Sequence, residues 1–253
     1  FKAQRTIGVT ATPRPAEQLG PPCREIEITP AGWTAKTHLQ DKELVLEIAT
    51  ADPKADPASH VTAVLGHLEA AWVGNCVAIG HAASVFEPLT PAPMMMLQRD
   101  IERLIELIPV LPEMHVERRE FNRRFLEDAS HIELFHENLL AAEEAPETPY
   151  WRAASSPVRS DKLDRKIRQF SHRGILTRYD LEPFNDEDWA IAHWGMGRVP
   201  RHPDRQRDRV AAQVSTQQLD QIRRANDQLV PKMPPHHVYV AKLKQYLKKK
   251  LHA

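Results

Sequence analysis

The residues best suited to chemistry lie in one loop between a short apolar run and a helix. The run from Asn75 to Gly80 indicates a buried strand that ends in a glycine turn. A proline-rich loop follows, and Pro93 suits the first position of a helix. The N–H groups and the positive dipole end of a helix start can bind an anion or the polar edge of a cofactor. A plain strand-to-helix crossover is the alternative interpretation.

The same stretch carries a family resemblance. Residues 72–89, WVGNCVAIGHAASVFEPL, resemble the flavin-dependent tryptophan halogenases, in which a GN-VAIG run leads to an EPLEST motif and a helix. Further matches follow in the family's order: Glu120-Phe121-Asn122, Thr148 to Arg152, Lys166-Ile167 and Asp188-Trp189. In that family the loop passes the flavin ring and helps to hold the halide. The resemblance therefore implies that FAD is the cofactor and is contacted by Gly80, Glu87, Pro88 and Leu89.

The loop departs from the family where the halogenation chemistry is performed. Thr90 occupies the position of the catalytic glutamate, and Pro91, Ala92 and Pro93 replace the residues of the halide site. Threonine cannot act as a carboxylate base. Pro91 and Pro93 have no N–H to donate to an anion. We therefore expect weak or no binding of chloride or bromide.

Three aromatic residues are candidates for the substrate site. Trp33 matches the first tryptophan of the family's WxWxIP motif, whose second tryptophan is replaced by Ala35. It is either a remnant of that site or an anchor of the core. Tyr150 and Trp151 match the aromatic pair that lines the indole pocket in the family, and they could sandwich a flat substrate. Sealing a helix junction is the alternative for this pair.

The polar anchors for free tryptophan are missing from the matching positions. Leu139 and Leu140 replace a polar aromatic pair, and Pro146 replaces the acidic contact of the amino group. The resemblance therefore implies a larger or less polar aromatic substrate than tryptophan.

Strands are predicted early in the chain and helices later. Strands are expected at 24–28 and 44–48, a linker at 52–59 and a short helix at 61–73. An apolar stripe at helical spacing predicts the next helix, with Met94, Leu97, Ile101, Leu104, Ile105 and Ile108. Longer helical patterns cover 113–140, 160–171, 186–194, 215–229 and a last segment from about 234. Ser160 and Asp186 are the expected N-caps, and Gly174 and Gly195 the expected helix ends.

Composition narrows the possible partners. The 253 residues carry 34 basic and 34 acidic side chains, so no global field favours nucleic acid or an anionic membrane. The same balance weighs against a DNA-binding helix-turn-helix protein. Two cysteines are too few for a disulfide framework and favour the cytoplasm, with Cys76 in the core. His193, His236 and His237 lack a metal-ligand spacing, so no metal site is expected.

We predict an α+β fold. Residues 1–109 would form the C-terminal part of an FAD-binding, monooxygenase-like domain, and residues 110–253 a helical region that covers the substrate. The match begins partway along the family's sequence, and no GxGxxG turn is present. We therefore expect a fragment whose FAD binding requires the missing N-terminal half.

Two functions follow from the resemblance. The first is part of a flavin-dependent halogenase-like monooxygenase acting on an indole-like substrate, with a flavin reductase as partner and a homodimer as an open possibility. The alternative is a non-catalytic relative that holds flavin or a partner.

Overall fold

The computed structural model describes residues 4–50, 60–110, 113–141, 145–154, 160–202, 205 and 209–251. Strands occupy the chain up to Val85 and helices the chain beyond it, which confirms the predicted α+β class. The predicted linker at 52–59 lies outside the described residues.

A five-stranded antiparallel sheet forms the first layer, in the order β2-β3-β4-β1-β5. Its strands are β1 (Gln4–Pro13), β2 (Arg24–Thr29), β3 (Gly32–His38), β4 (Lys42–Thr50) and β5 (His60–Val64). The predicted strands at 24–28 and 44–48 are confirmed within β2 and β4. Gly32 follows the β2–β3 turn, where an added Cβ would lie 1.9 Å from the Ile48 carbonyl oxygen, so only glycine fits there.

Two small two-stranded sheets replace two of the predicted elements. β6 (Gly66–His67) pairs with β9 (Ser84–Val85), and β7 (Trp72–Val73) pairs with β8 (Cys76–Val77). The predicted helix at 61–73 is wrong, because pairing with β1 and within the two small sheets overrides its helical periodicity.

The single buried strand predicted at 75–80 is also wrong. Gly74, with φ of 58°, turns the chain back on itself, and the strand stops at Val77. Cys76 lies on the exposed side of this two-residue strand, so the prediction that it is a core residue fails.

Seven α-helices follow within the described residues: α1 (Ala92–Glu106), α2 (His115–Leu140), α3 (Pro149–Ala154), α4 (Asp161–Arg173), α5 (Asp186–Gly195), α6 (Ala212–Leu229) and α7 (His236–Leu251). The long helix predicted at 113–140 is confirmed by α2. Ser160 caps α4 as predicted, because its side chain accepts a hydrogen bond from the Leu163 N–H. The cap of α5 is Asn185 rather than Asp186, in a reciprocal capping box with Asp188.

Helix α1 buries a different face from the one that its apolar stripe indicates. The side turned to the core carries Met96, Asp100 and Arg103. Asp100 and Arg103 are tolerated there because they pair with each other and Arg103 also pairs with Asp128 on α2. Leu97 and Leu104 are half-buried, but the rest of the predicted stripe is exposed: Met94, Ile101, Ile105 and Ile108.

Three buried clusters hold the layers together. The first joins α1 and α2 to the two small sheets, the second fills the space between the five-stranded sheet and α3, and the third lies among α2, α4 and α5. The first two contain residues from both sides of the predicted boundary at 109, and that division stays a prediction. Asn122 links the first cluster to β7, because its amide accepts from the Trp72 N–H at 2.8 Å and donates to the Trp72 carbonyl at 2.9 Å.

Helices α6 and α7 bury no residue against the rest of the described chain. Their contact with the body includes His236, whose Nδ1 lies 2.8 Å from the Gly20 carbonyl oxygen. In the described part of the chain, no helix combines the length and the apolar character needed to cross a bilayer.

Candidate functional site

The loop before α1 is held in place by a buried carboxylate, Glu87. Its Oε2 accepts from the Tyr150 hydroxyl at 2.9 Å and from Trp33 Nε1 at 3.2 Å, and its Oε1 accepts from Arg5 Nε. These partners come from α3, β3 and β1, so one side chain ties the loop to three elements. Glu87 is only 5% exposed. A buried carboxylate is stable when its charge is paired and its oxygens accept hydrogen bonds, and both conditions hold.

The three aromatic candidates lie together beneath this loop. Trp33, Tyr150 and Trp151 are 1%, 2% and 3% exposed and belong to one cluster. Tyr150 and Trp151 meet edge to face with centroids 5.1 Å apart, and the Trp151 Nε1–H donates to the Thr29 carbonyl at 2.8 Å. Trp33 is thus a core anchor. The prediction that Tyr150 and Trp151 stack on a substrate stays a prediction, because their faces are covered in this conformation.

Burial changes the acid strength of Tyr150. Desolvation, followed by the charge of Glu87, raises the pKa of the Tyr150 hydroxyl above its ordinary value. Arg5 lies over the Tyr150 ring, with its guanidinium carbon 4.7 Å from the centroid. Tyr150 is therefore a neutral hydrogen-bond donor to Glu87 at physiological pH.

Pro88 and Leu89 continue the loop at its half-buried rim. The Pro88 carbonyl accepts a hydrogen bond from the Arg24 guanidinium on β2, and Leu89 packs against the Trp33 cluster. Desolvation lowers the pKa of Arg24, which also lies over the Trp33 ring. The backbone of this rim is thereby fixed to the sheet.

Gly80 lies on the helix side of the loop. It adopts a left-handed conformation, with φ of 57°, and its N–H donates to Asp100 Oδ2 at 3.3 Å. Desolvation by burial raises the pKa of Asp100. Asp100 thus fixes the glycine turn to α1, and the predicted flavin contact of Gly80 cannot use this N–H while the bond is present.

Thr90 is paired with a histidine that the sequence did not single out. The Thr90 hydroxyl lies 2.8 Å from Nε2 of His136 on α2, and its oxygen accepts from the Ala92 N–H at 3.3 Å. Burial lowers the pKa of His136 to about 4, so its imidazole is neutral at pH 7. The position that the resemblance assigns to the family's glutamate therefore holds a hydroxyl–imidazole pair with no net charge.

The start of α1 uses its backbone donors internally. Pro91 and Pro93 have no N–H. The Ala92 N–H bonds to Thr90, and the N–H groups of Met94 and Met95 both bond to the Pro91 carbonyl. None of residues 91–95 therefore presents an N–H that lacks an acceptor. This arrangement agrees with the expected weakness of halide binding.

The sequence patterns did not identify two residues of the site, Arg5 and His136, although each of them carries a signal in the sequence. Arg5 is two positions before Ile7 in β1, so its side chain shares the face of the sheet that is turned to the core. His136 continues the buried face of α2 through Phe125, Ala129 and Ile132 at helical spacing. A charged or polar residue on a buried face needs a partner, which is the signal that could have identified both.

Among the described residues, no group of three or more histidine, cysteine, aspartate or glutamate side chains has a geometry that could hold a metal ion. The polar side chains that the site itself contributes include the Thr90 hydroxyl, the His136 imidazole and the buried Glu87 carboxylate.

Known proteins resemble this chain in sequence and fold. The tryptophan halogenase profile matches residues 35–212, more than half of the chain. Tryptophan 7-halogenase RebH from Lentzea aerocolonigenes is 26% identical over 119 residues, which are 47% of this chain and 22% of RebH.

Solved structures share the fold. BrvH, a flavin-dependent halogenase from Brevundimonas sp. BAL3, superposes with a TM-score of 0.83 at 23% identity, over 96% of this chain and 52% of BrvH. Xcc4156, a flavin-dependent halogenase from Xanthomonas campestris, gives a TM-score of 0.81 at 23% identity, over 96% of this chain and 52% of Xcc4156. The chain thus spans about half the length of these structures. From the extent of the profile match, the chain belongs to the tryptophan halogenase family.

Proposed function

We propose that this chain is the C-terminal portion of a flavin-dependent monooxygenase of the halogenase type, which oxidises an aromatic, indole-like substrate without holding a halide. The observation that carries the proposal is the loop between Gly80 and Pro93. Its frame is intact, because Glu87 and Asp100 fix it to the sheet and to α1. No N–H group of residues 91–95 is left for a halide, because Pro91 and Pro93 have none and those of Ala92, Met94 and Met95 donate to Thr90 and to the Pro91 carbonyl.

The loop rim fits one edge of a flavin ring. Pro88, Leu89 and Thr90 are half-buried and Pro91 is exposed, so the rim is uncharged and largely apolar. The charge of Glu87 is neutralised beneath it by Arg5. FAD, when bound, supplies the oxidation chemistry. Rim residues 88–91 would support the ring, whereas the chain holds no GxGxxG turn for the pyrophosphate, which we assign to an N-terminal half.

The substrate class follows from the polarity around Tyr150 and Trp151. Leu140 is part of the same buried cluster, and Leu139 packs in the neighbouring one. Apolar side chains at these positions cannot bind the carboxylate and amine of a free amino acid. We therefore propose an aromatic compound that is larger or less polar than tryptophan, with a flavin reductase as the partner that supplies reduced flavin.

A non-catalytic relative that binds flavin or a partner protein is the second candidate. The observation that favours it is the replacement of the family's glutamate by Thr90, together with the occupied donors at residues 91–95. It differs from the first candidate in predicting no product with any substrate.

The two candidates are separated by one experiment on the native protein. The flavin absorption spectrum is recorded first, and the protein is then supplied with FAD, a flavin reductase, NADH, bromide and a panel of indoles. Oxygenated products in the mass spectrum support the proposal. Brominated products contradict the absence of a halide site, and flavin binding without any product favours the second candidate.

A further inference from the structure

The direction of proton donation between Thr90 and His136 depends on the tautomer of the imidazole. The Thr90 oxygen already accepts the Ala92 N–H at 3.3 Å, and its own proton is free to point at His136 Nε2, 2.8 Å away. A neutral imidazole carries one N–H and one bare nitrogen. Transfer of the hydroxyl proton to His136 requires the tautomer in which Nδ1 carries the ring proton and Nε2 accepts from the hydroxyl.

The surroundings hold this geometry in place. His136 is 6% exposed and contacts Phe86 edge to face, with ring centroids 6.4 Å apart. Thr90, by contrast, is half-buried at the loop rim, whereas the imidazole of His136 is buried behind it. A hydroxyl at the rim with a buried nitrogen base behind it is the arrangement that activates hydroxyl groups in enzymes.

The base strength of His136 is close to that of the glutamate that the family has at the position of Thr90. Burial lowers the pKa of His136 to about 4, close to the ordinary glutamate value of about 4.3. The imidazole differs from a carboxylate in being neutral before it accepts a proton. The pair can thus accept a proton much as a glutamate does, but it cannot attract a cation by charge.

We propose that Thr90 and His136 together form the proton-accepting group of this site, with Thr90 as the catalytic residue and His136 acting through it. After the oxidant has added to a ring carbon of the bound aromatic substrate, that carbon gives up its proton: the C–H bond breaks and its electron pair restores the aromatic ring. A new O–H bond forms at Thr90 Oγ, and the original hydroxyl proton passes to His136 Nε2. The substrate loses one proton and His136 becomes imidazolium. This step rests on the proposed function, which supplies the substrate.

The direction of the hydrogen bond is measured without flavin. Long-range proton–nitrogen NMR of protein labelled with 15N-histidine identifies the protonated ring nitrogen of His136 at pH 7. The expected result is a protonated Nδ1 and a bare Nε2, whose resonance moves in Thr90→Val but not in Thr10→Val, an exposed control on β1. A proton on Nε2 overturns the proposal, because the pair could then accept nothing through Thr90.

Turnover of the native protein with FAD and a reductase gives the second readout. Thr90→Val and His136→Gln should each lower kcat by about 10²-fold, the usual contribution of acid–base catalysis, with KM and flavin content unchanged. Thr90→Ser should retain turnover within several-fold. The control His193→Gln removes a histidine whose pKa is likewise lowered to about 4 by burial, but outside the loop, and it should retain turnover.

Wild-type turnover in Thr90→Val overturns the proposal. A wild-type protein that binds no flavin contradicts the proposed function instead, and the protonated nitrogen of His136 still decides whether the pair can accept a proton.

Discussion

At the scale of single residues, one buried carboxylate organises the loop. Glu87 receives hydrogen bonds from residues 82, 54 and 63 positions away in the sequence, namely Arg5, Trp33 and Tyr150. A charge buried at this depth remains stable only while its partners are present. Glu87 therefore serves the frame of the site, and its removal should affect stability before chemistry.

Glu87→Ala should lower the free energy of unfolding by about 3–5 kcal/mol, because it leaves the Arg5 charge and two aromatic donors unpaired in the interior. Urea unfolding followed by circular dichroism measures the change. The matched control is Glu47→Ala on β4, an exposed carboxylate whose loss should change the free energy by less than about 0.5 kcal/mol. Equal effects of the two substitutions would contradict the assigned role.

His136 should make stability depend on pH. Its pKa is about 4 in the folded state and 6.5 ordinarily, so the unfolded chain takes up a proton first as the pH falls. The buried neutral ring makes its full contribution to the free energy of unfolding above pH 6.5. That contribution declines between pH 6.5 and pH 4, by about 3 kcal/mol in total. The unfolding free energies of wild type and His136→Gln are measured at pH 7.5 and pH 4.5. The value for wild type should fall more than the value for His136→Gln between the higher and the lower pH. A constant difference would mean that His136 titrates normally.

Thr90→Glu alone should not produce bromination in the native protein. The new carboxylate would stand at the family's position, but Pro91 and Pro93 would still lack N–H donors for the halide. Reaction with bromide, FAD, reductase and an indole panel tests this by mass spectrometry. Brominated indole from the single variant would refute the prediction. The comparison is a variant that carries Thr90→Glu and also the family's serine, threonine and small residue at positions 91–93.

At the scale of elements, the site depends on how the loop meets α1. The glycine turn at Gly80 and the buried face of α1 are joined by Asp100, which also pairs with Arg103 at 3.0 Å. The polar residues of α1 thus face inward because the loop and α2 offer them partners. The predicted apolar stripe is left mostly outside for the same reason.

Gly80→Ala should lower the free energy of unfolding by about 1–2 kcal/mol, the cost of a left-handed conformation for a residue with a Cβ. The added Cβ would also lie 3.1 Å from Leu97 Cδ1 on α1. Thermal unfolding measures the loss. Gly195→Ala at the end of α5 meets no atom within 4 Å and should be tolerated, so equal losses would exclude strain at Gly80 as the cause.

At the scale of the whole molecule, α6 and α7 stand apart from the three cores. Isolated helices of 18 and 16 residues are marginal in water, and helices in proteins are stabilised mainly by packing of an apolar face. The apolar residues of α6 remain exposed, with Leu219 at 63% and Ile222 at 59%. These side chains therefore contribute little to the stability of the 253-residue chain itself.

Replacing Leu219 and Ile222 together by Gln should change the unfolding free energy of this chain by less than about 0.5 kcal/mol per residue. Self-association, measured by light scattering after size exclusion, should decrease because an exposed apolar patch is removed. Leu163→Ala is the buried comparison, because that side chain is fully enclosed and should cost about 2–5 kcal/mol. A loss of similar size in α6 would mean that its apolar face is packed within this chain.

The sequence by itself determined several of the local elements and the family. The period of apolar residues indicated α2, and Ser160 and Gly174 marked the ends of α4, because caps and periodicity depend on neighbours a few residues away. The motifs of the loop were sufficient to recognise the tryptophan halogenase family.

Only the tertiary structure decided how the side chains are used. Contacts between distant residues placed Arg5 on Glu87 and His136 on Thr90, turned the polar side of α1 inward and left Cys76 exposed. The physical reason is that a buried polar group must find its partner wherever the fold brings one. That partner can lie many residues away, where local sequence patterns carry no signal for the pairing.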